Sequence, residues 1–289
     1  MKNFEYAAPT SLAEATQLLA AAKGTARVLA GGTDLIVQLR EHLRDADLVV
    51  DIKKVPEVME LKLSPQGLHL GAAVPCYLLY ENKEITAKYT ALTDAARIVG
   101  GWQIQGRASV GGNLCNSSPA GDTLAPLIVL GAKCVIAGAK GTQEVPAAEF
   151  CTGPGKNVLQ KGDVLQALVF PAPAAKSGSA YERFIPRNEM DIAVVGAASW
   201  VKLNSAGDKI DEARIALSAV AATPKFAAEA SQWLAGKPLN DETYAQAGEL
   251  AKKVATPISD MRGPAEYRLH LVGVLVKRTL AAAVDRANS

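Results

Sequence analysis

The stretch "VGGNLCNSSPAGD" at 110–122 decides how the chain is read. It puts three glycines, two asparagines, two serines and a proline between apolar segments. Glycine costs backbone entropy in a regular element, and proline lacks a donor. The run therefore predicts an irregular loop rather than the middle of a helix or a strand. A second glycine pair, in "VLAGGTDL" at 28–35, follows a short apolar run that reads as a buried strand. Glycine permits positive φ and close approach of a ligand to the backbone. Consecutive amides in such a turn can converge on one anion. One such loop is also compatible with a plain tight turn. Two of them suit a diphosphate, which has two phosphoryl groups to hold.

The rest of the chain bounds the answer. It has 289 residues, 49% hydrophobic and 21% charged, which fits an ordinary globular protein of about two domains. A net charge of +2 with no basic block argues against nucleic acid. The start, "MKNFEYAAP", carries no apolar core of a secretory signal, so a cytoplasmic location is expected. "LHLVGVLVKRTLAAAV" at 269–284 is interrupted by Lys277 and Arg278 and is too short to span a bilayer. Cys76, Cys115, Cys134 and Cys151 make no C-x-x-C pair, and His42, His69 and His270 have no metal-ligand spacing. No metal site is expected, and the thiols read as free and buried. Cys115, beside the glycines, is the one thiol whose reactivity the sequence leaves open.

Along the chain, "SLAEATQLLAAA" at 11–22 opens with the S-x-x-E of a capping box. Strand 26–30, helix 34–43 and strand 47–52 make a small α/β unit. Strands at 68–74, 133–138 and 163–171 and helices at 93–100 and 123–131 come next. "PAPAAKSGS" at 171–179 reads as a linker. Beyond it come three strands between 180 and 220, then helices at 224–235, 241–255 and 265–286. The expected fold class is α+β. A two-lobed α/β domain occupies 1–176, with lobes of about 1–55 and 56–176. An α+β domain with an antiparallel sheet and helices occupies 177–289.

Familiar nucleotide motifs are absent. No G-x-G-x-x-G follows a strand, and "GWQIQGR" at 101–107 lacks the Lys-Ser/Thr of a P-loop. No nucleophile elbow or H-E-x-x-H occurs. "VLAGGTDLI" at 28–36 and "SVGGNLCNSSPAGD" at 109–122 do resemble the two flavin-diphosphate loops of the FAD-binding medium subunits of molybdenum hydroxylases, the xanthine dehydrogenase and carbon monoxide dehydrogenase type. "FEYAAPTSLAEATQLLA", "FCTGPGKNVLQKGDVL" (150–165) and "AYERFIPRNEMDIAVVG" (180–196) fall in that family's order, so the resemblance spans nearly the whole chain.

The resemblance implies a PCMH/VAO-type FAD domain and particular roles. Ala30, Gly31, Gly32, Thr33 and Asp34, flanked by Val28, Leu29 and Leu35, would wrap the diphosphate. Ser109, Val110, Gly111, Gly112 and Asn113 would form a second wall. Asp122, Leu165 and Arg183 match a carboxylate, an apolar residue and a basic residue near FAD. The family often has lysine where Arg183 stands. From the residues alone, Asp122 also fits a cap for helix 123–131, Leu165 fits plain core, and Arg183 fits a surface salt bridge. The cysteine-rich insert of some relatives, which holds a further iron–sulfur cluster, is missing. No general acid or base is assigned to this chain.

The function implied is an oxidoreductase electron-transfer subunit. A small partner with two [2Fe–2S] clusters passes electrons to FAD, and a large molybdopterin partner oxidises substrate. The acceptor would be NAD+, a quinone or another molecule, and the complex a dimer of heterotrimers. The alternative is an autonomous FAD-dependent oxidoreductase of the same broad fold.

Overall fold

The computed structural model describes residues 2–139 and 141–289. The chain opens with strands Glu5–Ala7, Ala26–Leu29 and Leu48–Asp51, a parallel sheet with the third strand in the middle. Parallel neighbours need crossovers, which helices Leu12–Ala21 and Leu35–Arg40 provide. The capping box forms at the first helix with its return bond shifted one residue, to the N–H before the Ser11 cap. Ser11 Oγ accepts from the Glu14 N–H at 3.2 Å, while Glu14 accepts from the Thr10 N–H at 3.0 Å. Ala15 and Leu19 on its inner face pack on Val50, Ile52 and Val164.

A second sheet has five strands in the order Leu61–Ser64, Gly67–Gly71, Val164–Pro171, Lys133–Gly138, Gly141–Pro146. Every pairing in it is antiparallel. Between its second strand and Lys133–Gly138 the chain runs through a set of short helices, among them Thr90–Ala96, Val110–Asn116 and Leu124–Val129. Together they bury Leu68, Leu92, Leu127, Ile136 and Phe170 in one core.

The glycine run at 110–122 is not simply a loop. Val110–Asn116 is an α-helix, and Ser109 caps it by accepting from the Gly112 N–H at 3.0 Å. Packing outweighs glycine's low helix propensity here: Val110 and Leu114 are buried in the main core. Only the residues past this helix are irregular, beginning at Ser117, which ends it in a left-handed turn (φ 51°).

Strands Ser177–Phe184, Val195–Leu203, Ile210–Ser218 and Lys225–Phe226 form an antiparallel meander. Helices Ala228–Trp233, Asp241–Ala251 and Ala265–Asn288 come after it. Val272, Leu275, Val276, Leu280 and Ala283 of the long helix face the sheet core, at the i, i+3, i+4 spacing of an amphipathic stripe. The sheet is buried on its other side too. Ala197, Val201 and Leu217 point to the helices, whereas Ala198, Trp200 and Ala216 join the core of the preceding region. The linker expected at 171–179 is shorter than its composition suggests. Its last residues already pair as a strand, and a Cβ on Gly178 would meet the Ala283 carbonyl oxygen at 2.1 Å.

Candidate functional site

The first glycine segment leaves the C-terminal end of strand Ala26–Leu29 in the parallel sheet, the end at which open α/β sheets bind ligands. Gly32 has φ +79°, a left-handed conformation that side chains with a Cβ rarely adopt. Its neighbour Gly31 serves a different need. A Cβ there would lie 2.3 Å from the Arg107 carbonyl oxygen, so the segment rests directly on residues 107–108. Arg107 reaches back and donates to the Gly31 oxygen at 2.9 Å and the Ala30 oxygen at 3.3 Å. The Gly32 oxygen accepts from the Ile36 N–H. The carbonyls are thus engaged. The N–H groups of Gly31 through Leu35 find no acceptor among the described residues.

The second segment arrives from the other side. Gly111 packs on the backbone of Ala72, where a Cβ would come within 2.5 Å of the carbonyl oxygen. A Cβ on Gly112 would press the capping Ser109 Oγ at 2.9 Å. These glycines, read from the sequence as room for a ligand or as a tight turn, are therefore required in part by protein packing. Gln38 on helix Leu35–Arg40 donates to Asn116 at 2.9 Å and ties the two segments together.

Between them lies a cavity of about 600 Å³, inside the range of small-molecule and cofactor sites. Val28, Ala30, Gly31, Gly32, Thr33, Asp34 and Leu35 line one wall, and Ser109, Gly111, Gly112 and Asn113 another. Leu165 joins Ile52, Ala72 and Val99 as apolar lining. Leu29 and Val110 are buried behind the walls instead and anchor them to the core.

Sequence alone assigns no side chain to the third wall beyond Leu165. Segment 152–164 supplies Gly155, Lys156, Asn157 and Lys161, and Arg27 and Arg44 line the cavity from the first lobe. The signal was the glycine- and lysine-rich "TGPGKNVLQKG", whose residues carry no periodicity. Four cationic side chains against Asp34 and Asp163 give the lining an excess of positive charge. Burial pushes the Asp34 carboxyl up, and the nearby Arg44 charge opposes that shift. Cys115 also lines the cavity, but burial pushes its thiol well above the ordinary value, and the thiols of Cys134 and Cys151 add to the rise. That is the opposite of a reactive thiolate.

Asp122 and Arg183 lie outside the cavity lining and pair with each other, Nη1 to Oδ2 at 2.6 Å. Their side chains are 9% and 5% exposed. Arg183 thus makes a buried ion pair rather than a surface one, and Asp122 makes no helix cap: Leu124–Val129 has no side-chain capping bond. Burial is the larger influence on Asp122 and lifts its carboxyl to about 6; the Arg183 charge and hydrogen bond pull the other way. The pair stands one residue from the wall, because Asn113 Oδ1 accepts from Thr123 Oγ1 at 2.8 Å.

Comparison with known proteins gives one answer. Residues 2–173 match the family model described as FAD binding domain in molybdopterin dehydrogenase, and 179–283 match the CO dehydrogenase flavoprotein C-terminal domain. The chain is 34% identical over 284 residues to a xanthine dehydrogenase FAD-binding subunit of Escherichia coli O157:H7, covering 98% of this chain and 96% of that protein. It is 32% identical over 287 residues to the carbon monoxide dehydrogenase medium chain of Afipia carboxidovorans, covering 99% of each. Carbon monoxide dehydrogenase from Hydrogenophaga pseudoflava superposes with a TM-score of 0.93 at 32% identity, over 99% of this chain and 98% of that one. The cavity between two glycine segments and the full-length match agree: the chain belongs to the family of FAD-binding subunits of xanthine and carbon monoxide dehydrogenase-type molybdenum hydroxylases.

Proposed function

We propose that the cavity holds FAD with its diphosphate between Ala30–Asp34 and Ser109–Asn113. The observation that carries this is the row of N–H groups from Gly31 to Leu35, which have no acceptor among the described residues and border a cavity with excess positive charge. Such donors are suited to phosphoryl oxygens. Val28, Leu35 and Leu165 would supply apolar contact, with Leu29 and Val110 fixing the walls from behind. Asp122 and Arg183 act from behind Asn113 and Thr123, setting the charge near the cofactor. When bound, the flavin supplies the redox chemistry; the chain binds it, orients it and tunes its surroundings.

On this reading the chain is an electron-transfer subunit. It receives electrons from a small subunit with two [2Fe–2S] clusters and delivers them to NAD+, a quinone or another acceptor. A large molybdopterin subunit carries out substrate hydroxylation, within a cytoplasmic dimer of heterotrimers. No helix among the described residues is long and apolar enough to cross a membrane. The proposed division is a FAD domain at 1–176, with lobes of about 1–55 and 56–176, and a second domain at 177–289.

Co-purification from the native host with rapid-mixing spectroscopy tests this. Iron and molybdenum should travel with the complex and not with the isolated chain, and substrate should bleach the flavin only when the partners are present. Turnover of a metabolite by the isolated, metal-free chain would establish an autonomous flavoenzyme instead.

A further inference from the structure

A second cavity, of about 650 Å³, lies on the other side of the Asp122–Arg183 pair. It opens among strand Ser177–Phe184, the long helix Ala265–Asn288 and residues 94–98. Five guanidinium groups line it, from Arg97, Arg183, Arg187, Arg278 and Arg286, against the carboxylates of Asp94 and Glu182. Four of the five arginines have carboxylate partners. Arg286 pairs with Asp94 at 2.6 Å and Arg278 with Glu182 at 2.8 Å. Arg183 is taken by Asp122, and Arg187 by Asp191 at 3.4 Å. Arg97 makes no ion pair among the described residues. It lies over the Tyr80 ring, 5.4 Å from the centroid, and donates to the Tyr80 oxygen at 3.4 Å. Between the charges the lining is apolar, with Ile98, Phe184, Ile185 and Ala282.

We infer that this cavity is a binding site for a phosphorylated anion of nucleotide size, separate from the glycine-walled cavity. A planar fork of donors fits phosphoryl oxygens, and Arg97 brings one without a carboxylate to displace. Arg187, mostly exposed, has a 3.4 Å contact to Asp191 and donates to the Met190 carbonyl oxygen at 3.1 Å, and it can turn to the same ligand. The apolar stretch receives the uncharged body of the molecule. Inorganic phosphate would leave most of such a volume unfilled.

Residues 97–99 run between the two cavities. Val99 lines the first, while Ile98 and Arg97 line the second. Because ADP is also half of FAD, the test must tell one cavity from the other. Calorimetric titration of ADP into the FAD-loaded full-length chain should show saturable binding that weakens as salt is raised. Arg97→Ala, an exposed position whose truncation spares the core, should weaken it about tenfold, the loss of one charge-assisted contact. ADP should bind without displacing the bound flavin, whose absorbance stays constant through the titration. Pyrophosphate should compete and adenosine should not. Release of FAD as ADP binds, or unchanged ADP affinity in Arg97→Ala, would mean that ADP does not use the second cavity and would overturn the inference. So would adenosine binding as tightly as ADP, or no saturable binding.

Discussion

The two glycine pairs look alike as sequence and differ as structure. At 31–32 the backbone bends through a left-handed residue and leaves consecutive amides without acceptors among the described residues. At 111–112 the glycines sit in a capped helix, with Gly111 against Ala72 and the Gly112 N–H already given to Ser109. Gly31 and Gly111 each let two backbones touch, on Arg107 and on Ala72; the first pair also lies in a run of amides without acceptors among the described residues, whereas the Gly112 N–H is taken. A doubled glycine thus marks close approach, but the partner can be a ligand or the protein itself.

That contrast is broken most severely by substitution at the second pair. Gly111→Val should push a β-branched side chain into the Ala72 backbone and cost at least about 3 kcal/mol, the upper end of overpacking. Soluble yield and the urea midpoint should both fall, and flavin should be lost along with the fold. Gly32→Val should behave differently. Strain at positive φ should cost about 1–3 kcal/mol, with circular dichroism retained and the flavin-to-protein absorbance ratio near zero. Equal loss of fold in the two variants would erase the distinction drawn between the pairs.

Smaller effects sharpen the comparison. Ser109→Ala removes the cap of the second segment and should cost about 1 kcal/mol by denaturant titration, with weaker flavin binding as a consequence. Asp122 gives a pH signature. Its folded-state carboxyl is raised from 3.8 to about 6, so the unfolded chain releases this proton first. The stabilisation from the neutral form is present below about pH 4 and is lost as pH rises through 6. Asp122→Asn should flatten that part of the stability profile between about pH 4 and 6. An unchanged profile would show that Asp122 does not titrate there.

Much of the fold is legible in the sequence. The capping box at Ser11–Glu14, the parallel strands around "VLAGG" and the meander after residue 180 arise from local periodicity and turn chemistry, and those patterns survive folding. The helix at Val110–Asn116 does not show, because its stability comes from Val110 and Leu114 entering a core assembled from distant strands. The third wall is hidden for a similar reason. Lys156, Asn157 and Lys161 come to line the cavity only when residues 152–165 fold back across the mouth formed by the first two segments. Asp122 and Arg183 stand out one by one, and their pairing, 61 residues apart, is invisible without the fold.

The most direct test is to titrate the purified chain, stripped of flavin, with FAD and with FMN. If both segments hold a diphosphate, FAD should bind at least about a hundredfold more tightly than FMN, the difference expected from two charge-assisted contacts. It should survive gel filtration and be released on denaturation. Equal affinity for FMN, or a chain that stays colourless with excess FAD, would contradict the account.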